Sequence, residues 1–268
     1  MPTEGYKRYF KLFKNIKNPG VYLRSKIASS QTPLSFVTRP NPIAINVPAN
    51  LFLVFKEIFM SDVYDMDDLL KHLPENPTVV DIGANAGYFD FILLSKIDKA
   101  RIYAYEPMPA NVALFRHTIE MNNLGNHIAL LPMAVTGTPQ SHLDLFVEDA
   151  GRNTVVASVF DGFNDSNTQK ISVPCIPLSD IIEGNNLKKI DVLKIDCEGS
   201  EFDIIYNTPV ELIKRADLIT VEVHDMDADK NNITYFNSYL QSIGYQTMHS
   251  QINGFCHALT AIKVPSPS

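Results

Sequence analysis

The sequence predicts an α/β fold, a doubly wound parallel sheet with helices on both faces, and three observations predict it. From about residue 78, short β-branched runs alternate with segments of helical period. The first run, Thr78-Val79-Val80-Asp81-Ile82, ends beside an acid and turns through Gly83 and Gly87 into a helix. With 45% hydrophobic and 20% charged residues among 268, the chain can bury the core of one large domain or two small ones.

The elements follow in chain order. Residues 1–50 read as an N-terminal extension ahead of a domain spanning 51–268. In that extension Tyr6, Phe10, Phe13 and Ile16 share one face of a basic amphipathic helix. Ser35–Thr38 and Ile43–Val47 can pair as a hairpin through Arg39-Pro40-Asn41-Pro42, and Asp62–Leu73 has helical character. A strand over Thr78–Ile82 and a helix over Phe89–Lys96 come next. Arg101–Tyr105 is a strand, and a helix from Pro109 to Asn122 has proline at its first position and Gly125 just past its end. Ile128–Val135 reads as a third strand. His142–Val147 and Ile171–Ile176 are strand-like pieces around the polar stretch Gly162–Gln169. The alternation resumes with a strand at Asp191–Ile195, a helix at Glu201–Tyr206, a strand at Asp217–Val223 and a helix at Asn231–Ser242. Gly244–Met248 and Ala258–Val264 close the sheet as a pair.

Charge and composition exclude several classes. Residues 1–26 hold seven basic side chains against Glu4, a net of +6, so the remaining chain carries −13 of the total −7. So acidic a body repels phosphates, and no nucleic-acid partner is expected. No apolar run approaches the roughly 18–20 residues of a membrane helix, and the charged start is not a cleavable secretory signal. Cys175, Cys197 and Cys256 form neither a disulfide framework nor a zinc spacing. The expected location is cytoplasmic. The basic helix either docks its aromatic stripe on the core or on a second copy, giving a homo-oligomer, or serves as a lid or a site for an anionic partner.

The chemistry is concentrated in Val79-Val80-Asp81-Ile82-Gly83-Ala84-Asn85-Ala86-Gly87. Asn85 stands where a dinucleotide fingerprint has its second glycine, and no Gly-Lys-Ser/Thr follows, so a diphosphate ligand does not fit. Nineteen residues after Gly87 stands Glu106, followed by Pro107, at the end of the second strand. A carboxylate there accepts hydrogen bonds from both hydroxyls of a ribose. An acid–glycine turn with a ribose acid fits S-adenosyl-L-methionine, with S-adenosyl-L-homocysteine as product. In this arrangement Asp81, Gly83, Ala84, Asn85 and Gly87 form the turn beneath the amino acid. Glu106 and Pro107 take the ribose, Ala134 borders the adenine, and Asp196 is also expected to bind the cofactor.

A second polar cluster lies in Leu193-Lys194-Ile195-Asp196-Cys197-Glu198-Gly199-Ser200-Glu201. The strand period of two puts Lys194 with Asp196, and Glu222 with His224, each pair on one face. If the two strands are neighbours, all four converge at the carboxyl edge where open α/β sheets bind ligands. The bland alternative makes Lys194 and Glu222 a buried structural pair.

With these stretches in order, VVDIGANAGYF, YAYEPMPAN, Ala134-Val135, DVLKIDCEGSE and ITVEVH, the sequence resembles the FkbM-type methyltransferases, a branch of the class I S-adenosylmethionine-dependent family. Ile58–Tyr64 also looks like the stretch such proteins carry ahead of the glycine turn. The resemblance covers about residues 50–250. It implies a Rossmann-like sheet of seven strands with the last antiparallel, and methyl transfer to a hydroxyl of a small molecule such as a sugar, glycan or polyketide. Residues 1–50 match nothing in that pattern.

Attack by an alcohol on a sulfonium methyl needs alignment and a proton acceptor. His224 is the expected base, because its ordinary pKa lies near neutrality, with Asp196 as alternative base or orienting group and Glu222 holding His224. A Mg²⁺ ion on Asp196, Glu222 and His224, with Asp225 or Asp227, is the mechanistic rival. That spacing matches no metal signature, so no metal ligand is assigned. An N-methyltransferase acting on an amine and a non-catalytic binding protein are the alternative functions. A dehydrogenase is opposed by Asn85 and by the lack of a Tyr-x-x-x-Lys pair. The acceptor groove is expected from residues 20–60 and 148–170, including Asn153, Phe160 and Phe163.

Overall fold

The computed structural model describes residues 5–28, 32–147, 157–158 and 169–265. The N-terminal part contains α1 (Lys7–Asn15), α2 (Gly20–Ala28), the strands β1 (Leu34–Val37) and β2 (Ala44–Val47), α3 (Phe52–Lys56), a π-helical turn at Glu57–Ser61, and α4 (Met66–Leu69). The sheet domain continues with β3 (Thr78–Ile82), α5 (Tyr88–Leu94), β4 (Arg101–Tyr105), α6 (Pro109–Met121) and β5 (Ile128–Leu131). Next come β6 (Ala134–Thr136), β7 (His142–Val147), β8 (Ala157–Ser158), β9 (Gln169–Pro177) and α7 (Leu178–Gly184). The chain ends with β10 (Ile190–Ile195), α8 (Glu201–Asn207), α9 (Val210–Ile213), β11 (Ala216–His224), α10 (Ile233–Ser242), β12 (Tyr245–Gln251) and β13 (Cys256–Lys263).

Seven strands form the main sheet in the order β12-β13-β11-β10-β3-β4-β5. β10, β3, β4, β5 and β11 run parallel, and β13 runs antiparallel to both its neighbours. All six residues of β10 are buried, as a central strand covered on both faces requires. The chain winds outward from β3 through β4 to β5 and then returns to place β10 on the other side of β3. That reversal opens a crevice at the carboxyl ends of β3 and β10, where doubly wound sheets bind ligands.

The third expected strand, Ile128–Val135, is in fact two. Pro132 offers no N–H, so the ladder stops at Leu131, and Ala134–Thr136 joins a separate four-stranded sheet of order β6-β9-β7-β8. The predicted helix at Asp62–Leu73 shrinks to α4 and one 3-10 turn. Asp62 and Asp65 take left-handed backbone (φ 55° and 45°), and the Asp62 carboxylate accepts the Met66 N–H instead of continuing a helix. The predicted hairpin forms, with Leu34 opposite Val47 and Val37 opposite Ala44.

α1 is turned differently from expectation. Leu12, Asn15 and Ile16 face inward, while Tyr6, Phe10 and Phe13 are 72%, 69% and 48% exposed. The described residues of 1–50 nevertheless share a hydrophobic cluster with those of the sheet domain. Leu12, Ile16, Tyr22 and Phe36 pack in the same cluster as Phe55, Phe59, Phe89 and Phe91, with Phe36 and Phe55 stacked at 4.3 Å. The opposite face of the sheet is covered by α7, α8, α9 and α10.

Candidate functional site

A cavity of about 740 Å³ lies at the crevice. Its walls come from the turns after β3, β4 and β10, from the end of β11, from β6 and β7, and from the segment Leu53–Tyr64.

The glycine turn forms one wall. Gly83 has φ 75°, and its N–H and that of Ala84 both donate to the Tyr105 carbonyl at 3.0 Å. A Cβ at Gly83 would sit 1.7 Å from the Asp196 carbonyl oxygen, so this glycine lets two strand ends approach. A Cβ at Gly87 would enter the Phe115 ring, so Gly87 seats α5 on α6 and does not line the cavity.

Glu106 lines the cavity where β4 ends. It is 5% exposed, and its carboxylate accepts the backbone N–H groups of Asn85 (2.8 Å) and Met108 (2.9 Å). Burial outweighs these donors and pushes its pKa up to about 7. Ala84, Asn85, Pro107 and Ala134 border the same space, joined by Met108, Met133 and Leu145 as an apolar end.

Asp81 behaves differently from the sequence expectation. It is fully buried, stands opposite Lys194 in the β3–β10 register, and lies 3.0 Å from the Lys194 ammonium. It does not wall the cavity. Its charge is met inside the protein, so a direct contact with a cofactor ammonium does not follow. Burial opposes the charge of Lys194, but Asp81 and Asp196 more than offset it and hold the ammonium protonated. Asp90, buried beside Asp81, is driven well above the carboxylate range by burial first and by the Asp81 charge second. Lys194 also donates to the Gly83 carbonyl at 2.8 Å, tying β10 to the glycine turn. The alternative of a Lys194–Glu222 pair is replaced by Lys194–Asp81.

Asp196 and Glu222 both face the cavity, at the ends of neighbouring parallel strands. Tyr64 donates its O–H to Asp196 at 2.7 Å. His224 does not line the cavity and is 3% exposed. Its Nδ1 lies 3.0 Å from Glu201 Oε1, and its Nε2 lies 3.3 Å from Glu198 and 3.5 Å from Glu222. Burial opposes a charge on this ring, yet Cys256, Glu201 and Glu222 together raise its pKa well above the ordinary value. The ring expected as the base therefore sits behind the cavity wall, with Nε2 toward the wall residues Glu198 and Glu222. The oxygen–nitrogen set weighed for Mg²⁺ is not assembled either. Asp225 caps Ile233 and pairs with His257, and Asp227 closes an exposed turn by accepting the N–H groups of Asp229, Lys230 and Asn231.

Several wall residues were not singled out from the sequence. Glu57, at the start of the π turn, is pushed up to about 7 by burial and by the charges of Glu222 and Asp196. Glu198 is raised to about 8, chiefly by burial. Tyr64 lies in the Ile58–Tyr64 stretch already noted, but nothing in its local pattern points to Asp196. Cys256 meets Glu222 at 2.9 Å only because β13 pairs with β11. Of the expected acceptor groove, Asn153, Phe160 and Phe163 lie outside the described residues, while Leu53, Val54, Glu57 and Ile58 do border the cavity.

Residues 81–247 match the family model described as the methyltransferase FkbM domain. Methyltransferase 1 of Beauveria bassiana (strain ARSEF 2860) is 28% identical over 194 residues, covering 66% of this chain and 74% of that protein. Methyltransferase sdnD of Sordaria araneosa is 26% identical over 176 residues, covering 57% of this chain and 66% of that one. Among solved structures, a methyltransferase FkbM from Methylobacillus flagellatus KT superposes with a TM-score of 0.49 at 14% identity, covering 80% of this chain and 54% of the other.

Proposed function

The chain belongs to the FkbM family of S-adenosylmethionine-dependent methyltransferases, and from that premise we propose that it methylates a hydroxyl of a small molecule such as a sugar, a glycan or a polyketide-type product. The observation that carries this reading is one continuous cavity with a hydrogen-bonded carboxylate, Glu106, toward one end and two carboxylates, Asp196 and Glu222, toward the other. Glu106 would hold the ribose hydroxyls of S-adenosylmethionine, and Met108, Met133, Ala134 and Leu145 would enclose its adenine. The turn Gly83–Asn85 would hold the methionine moiety.

The reaction is an in-line displacement. S-adenosylmethionine, when bound, would supply the methyl group; the acceptor oxygen would bond to that carbon as the carbon–sulfur bond breaks, its electron pair staying on sulfur. A hydroxyl sheds its proton during attack, so the site needs a proton acceptor as well as alignment at about 3–3.5 Å. Asp196, oriented by the Tyr64 O–H, takes that proton. His224 is a positioning residue that fixes Glu222 and Glu198 beneath the acceptor.

Calorimetry with S-adenosylhomocysteine, followed by labelled methyl transfer to sugars, nucleotide sugars, polyketide alcohols and matched amines, tests the reading. Binding with transfer to an alcohol is expected. Transfer to amines alone would replace it with N-methylation, and binding without any transfer would replace it with a binding protein.

The exposed stripe Tyr6, Phe10 and Phe13 supports a contact with a second copy of the chain. Gel filtration of Phe10→Ser/Phe13→Ser beside the unaltered protein checks it, and identical monomeric elution of both would dismiss it.

A further inference from the structure

Behind the cavity wall formed by Glu222, three potential metal donors cluster. Glu222 and His224 lie on β11, and Cys256 stands opposite His224 on β13. One ligand atom from each of Glu222, His224 and Cys256 lies within 4.8 Å of the other two. Cys256 Sγ is 2.9 Å and His224 Nε2 is 3.5 Å from the same Glu222 oxygen, and Glu198 Oε2 is 3.3 Å from that Nε2. Zinc bonds of about 2.0–2.3 Å place neighbouring tetrahedral donors roughly 3.3–3.8 Å apart, so small side-chain shifts would close a coordination sphere here.

The orientation of His224 is the second observation. Its Nδ1 faces Glu201, which is wholly buried and also accepts the His224 and Gly199 backbone N–H groups at 2.8 Å. A carboxylate holding one ring nitrogen while the other faces a donor set is how metal-binding histidines are fixed and their tautomer chosen. Charge points the same way. Glu198, Glu201 and Glu222 crowd one imidazole in a mostly buried region, and a divalent cation would relieve their repulsion. Sulfur, nitrogen and oxygen donors together suit Zn²⁺, whereas Mg²⁺ takes oxygen.

We propose that Glu222, His224 and Cys256 form a three-ligand binding site for a zinc-type divalent cation just behind the cavity wall, with its fourth position open. Glu222 also walls the cavity, so the ion's open position would lie close to the acceptor oxygen and polarise it. That role rests on the methyl-transfer reading, but ion binding is measured without any acceptor.

The test uses the full chain stripped with a chelator and titrated with Co²⁺ and then Zn²⁺. One equivalent of Co²⁺ should bind with a thiolate-to-cobalt charge-transfer band, and Zn²⁺ should displace it. Cys256→Ser should abolish the band, and Glu222→Gln should weaken Zn²⁺ binding at least tenfold, while Cys175→Ser, outside the cluster, should change neither. Melting curves establish that each variant is folded. If Cys256→Ser does not fold, Glu222→Gln decides alone. A stripped native protein that binds no Co²⁺, a band that survives Cys256→Ser, or Zn²⁺ affinity unchanged in Glu222→Gln would overturn the proposal. S-adenosylhomocysteine calorimetry on the same samples separates the two readings. Intact cofactor binding without metal fails only the ion site, and metal without cofactor binding fails only the cofactor assignment.

Discussion

Glu106 holds its place through two backbone N–H donors, and its burial has a measurable consequence. Its pKa near 7 means that the ionised form, the acceptor for ribose hydroxyls, prevails above pH 7 and is lost as pH falls through it. If only that form binds, S-adenosylhomocysteine affinity should drop about tenfold between pH 8 and pH 6. Glu106→Gln should flatten this dependence, and Glu106→Ala should cost at least tenfold, about 1.4 kcal/mol, by calorimetry. A pH-independent native affinity would refute the ribose role. At Gly83 the expectation concerns stability. A methyl group 1.7 Å from the Asp196 carbonyl must push β3 from β10, so Gly83→Ala should lose more than about 2 kcal/mol in urea unfolding. The Tyr64–Asp196 bond bears on rate. Tyr64→Phe should lower kcat at least tenfold with little change in melting temperature, because the ring remains packed on Phe89.

Among the elements, α1 acquires a task that its composition alone did not reveal. Lys11 pairs with Asp62 and Asp67, and Lys14 pairs with Asp67, so part of the N-terminal positive charge is matched by the acidic segment that carries Tyr64. Asn15 adds a hydrogen bond to the Phe59 carbonyl in the π turn. Hydrogen bonds from Lys11 and Lys14 hold the Asp67 carboxyl down to about 2. The stability from this contact is therefore full above about pH 4 and fades as pH falls through 2. Lys11→Met should lower stability by roughly 1 kcal/mol at pH 7, and the difference from the native protein should shrink below pH 3 in denaturant titrations. An equal difference at both pH values would show that Lys11 acts by packing alone. Asp62–Leu73 looked helical because its apolar spacing is helical. The locally bonded aspartates broke it, and that break directs Tyr64 into the cavity.

For the whole molecule, the reversal of winding at β3 and β10 decides where chemistry can happen, and the N-terminal segment closes one side of that place. Leu12, Ile16 and Tyr22 are essentially inaccessible in the shared core. At roughly 1.5–3 kcal/mol each, their loss is comparable with the whole stability of an ordinary domain, about 5–15 kcal/mol. Deleting residues 1–26 should therefore abolish a cooperative melting transition, whereas Phe10→Ser/Phe13→Ser, confined to the exposed stripe, should leave it cooperative. The sequence by itself determined what depends on neighbours along the chain. This includes the strand–helix alternation, the turn through Gly83, the position of Glu106 at a strand end, and the convergence of Asp196 and Glu222 once their strands were taken as adjacent. Only the tertiary structure decided what depends on pairing between distant segments. Register set Asp81 against Lys194 and removed it from the cavity wall. β13 brought Cys256 beside His224, and Glu201 took the Nδ1 of that ring and left its Nε2 toward Glu198 and Glu222. Those outcomes depend on strand register and on the cost of burying charge unpaired, and neither is written in any local stretch of residues.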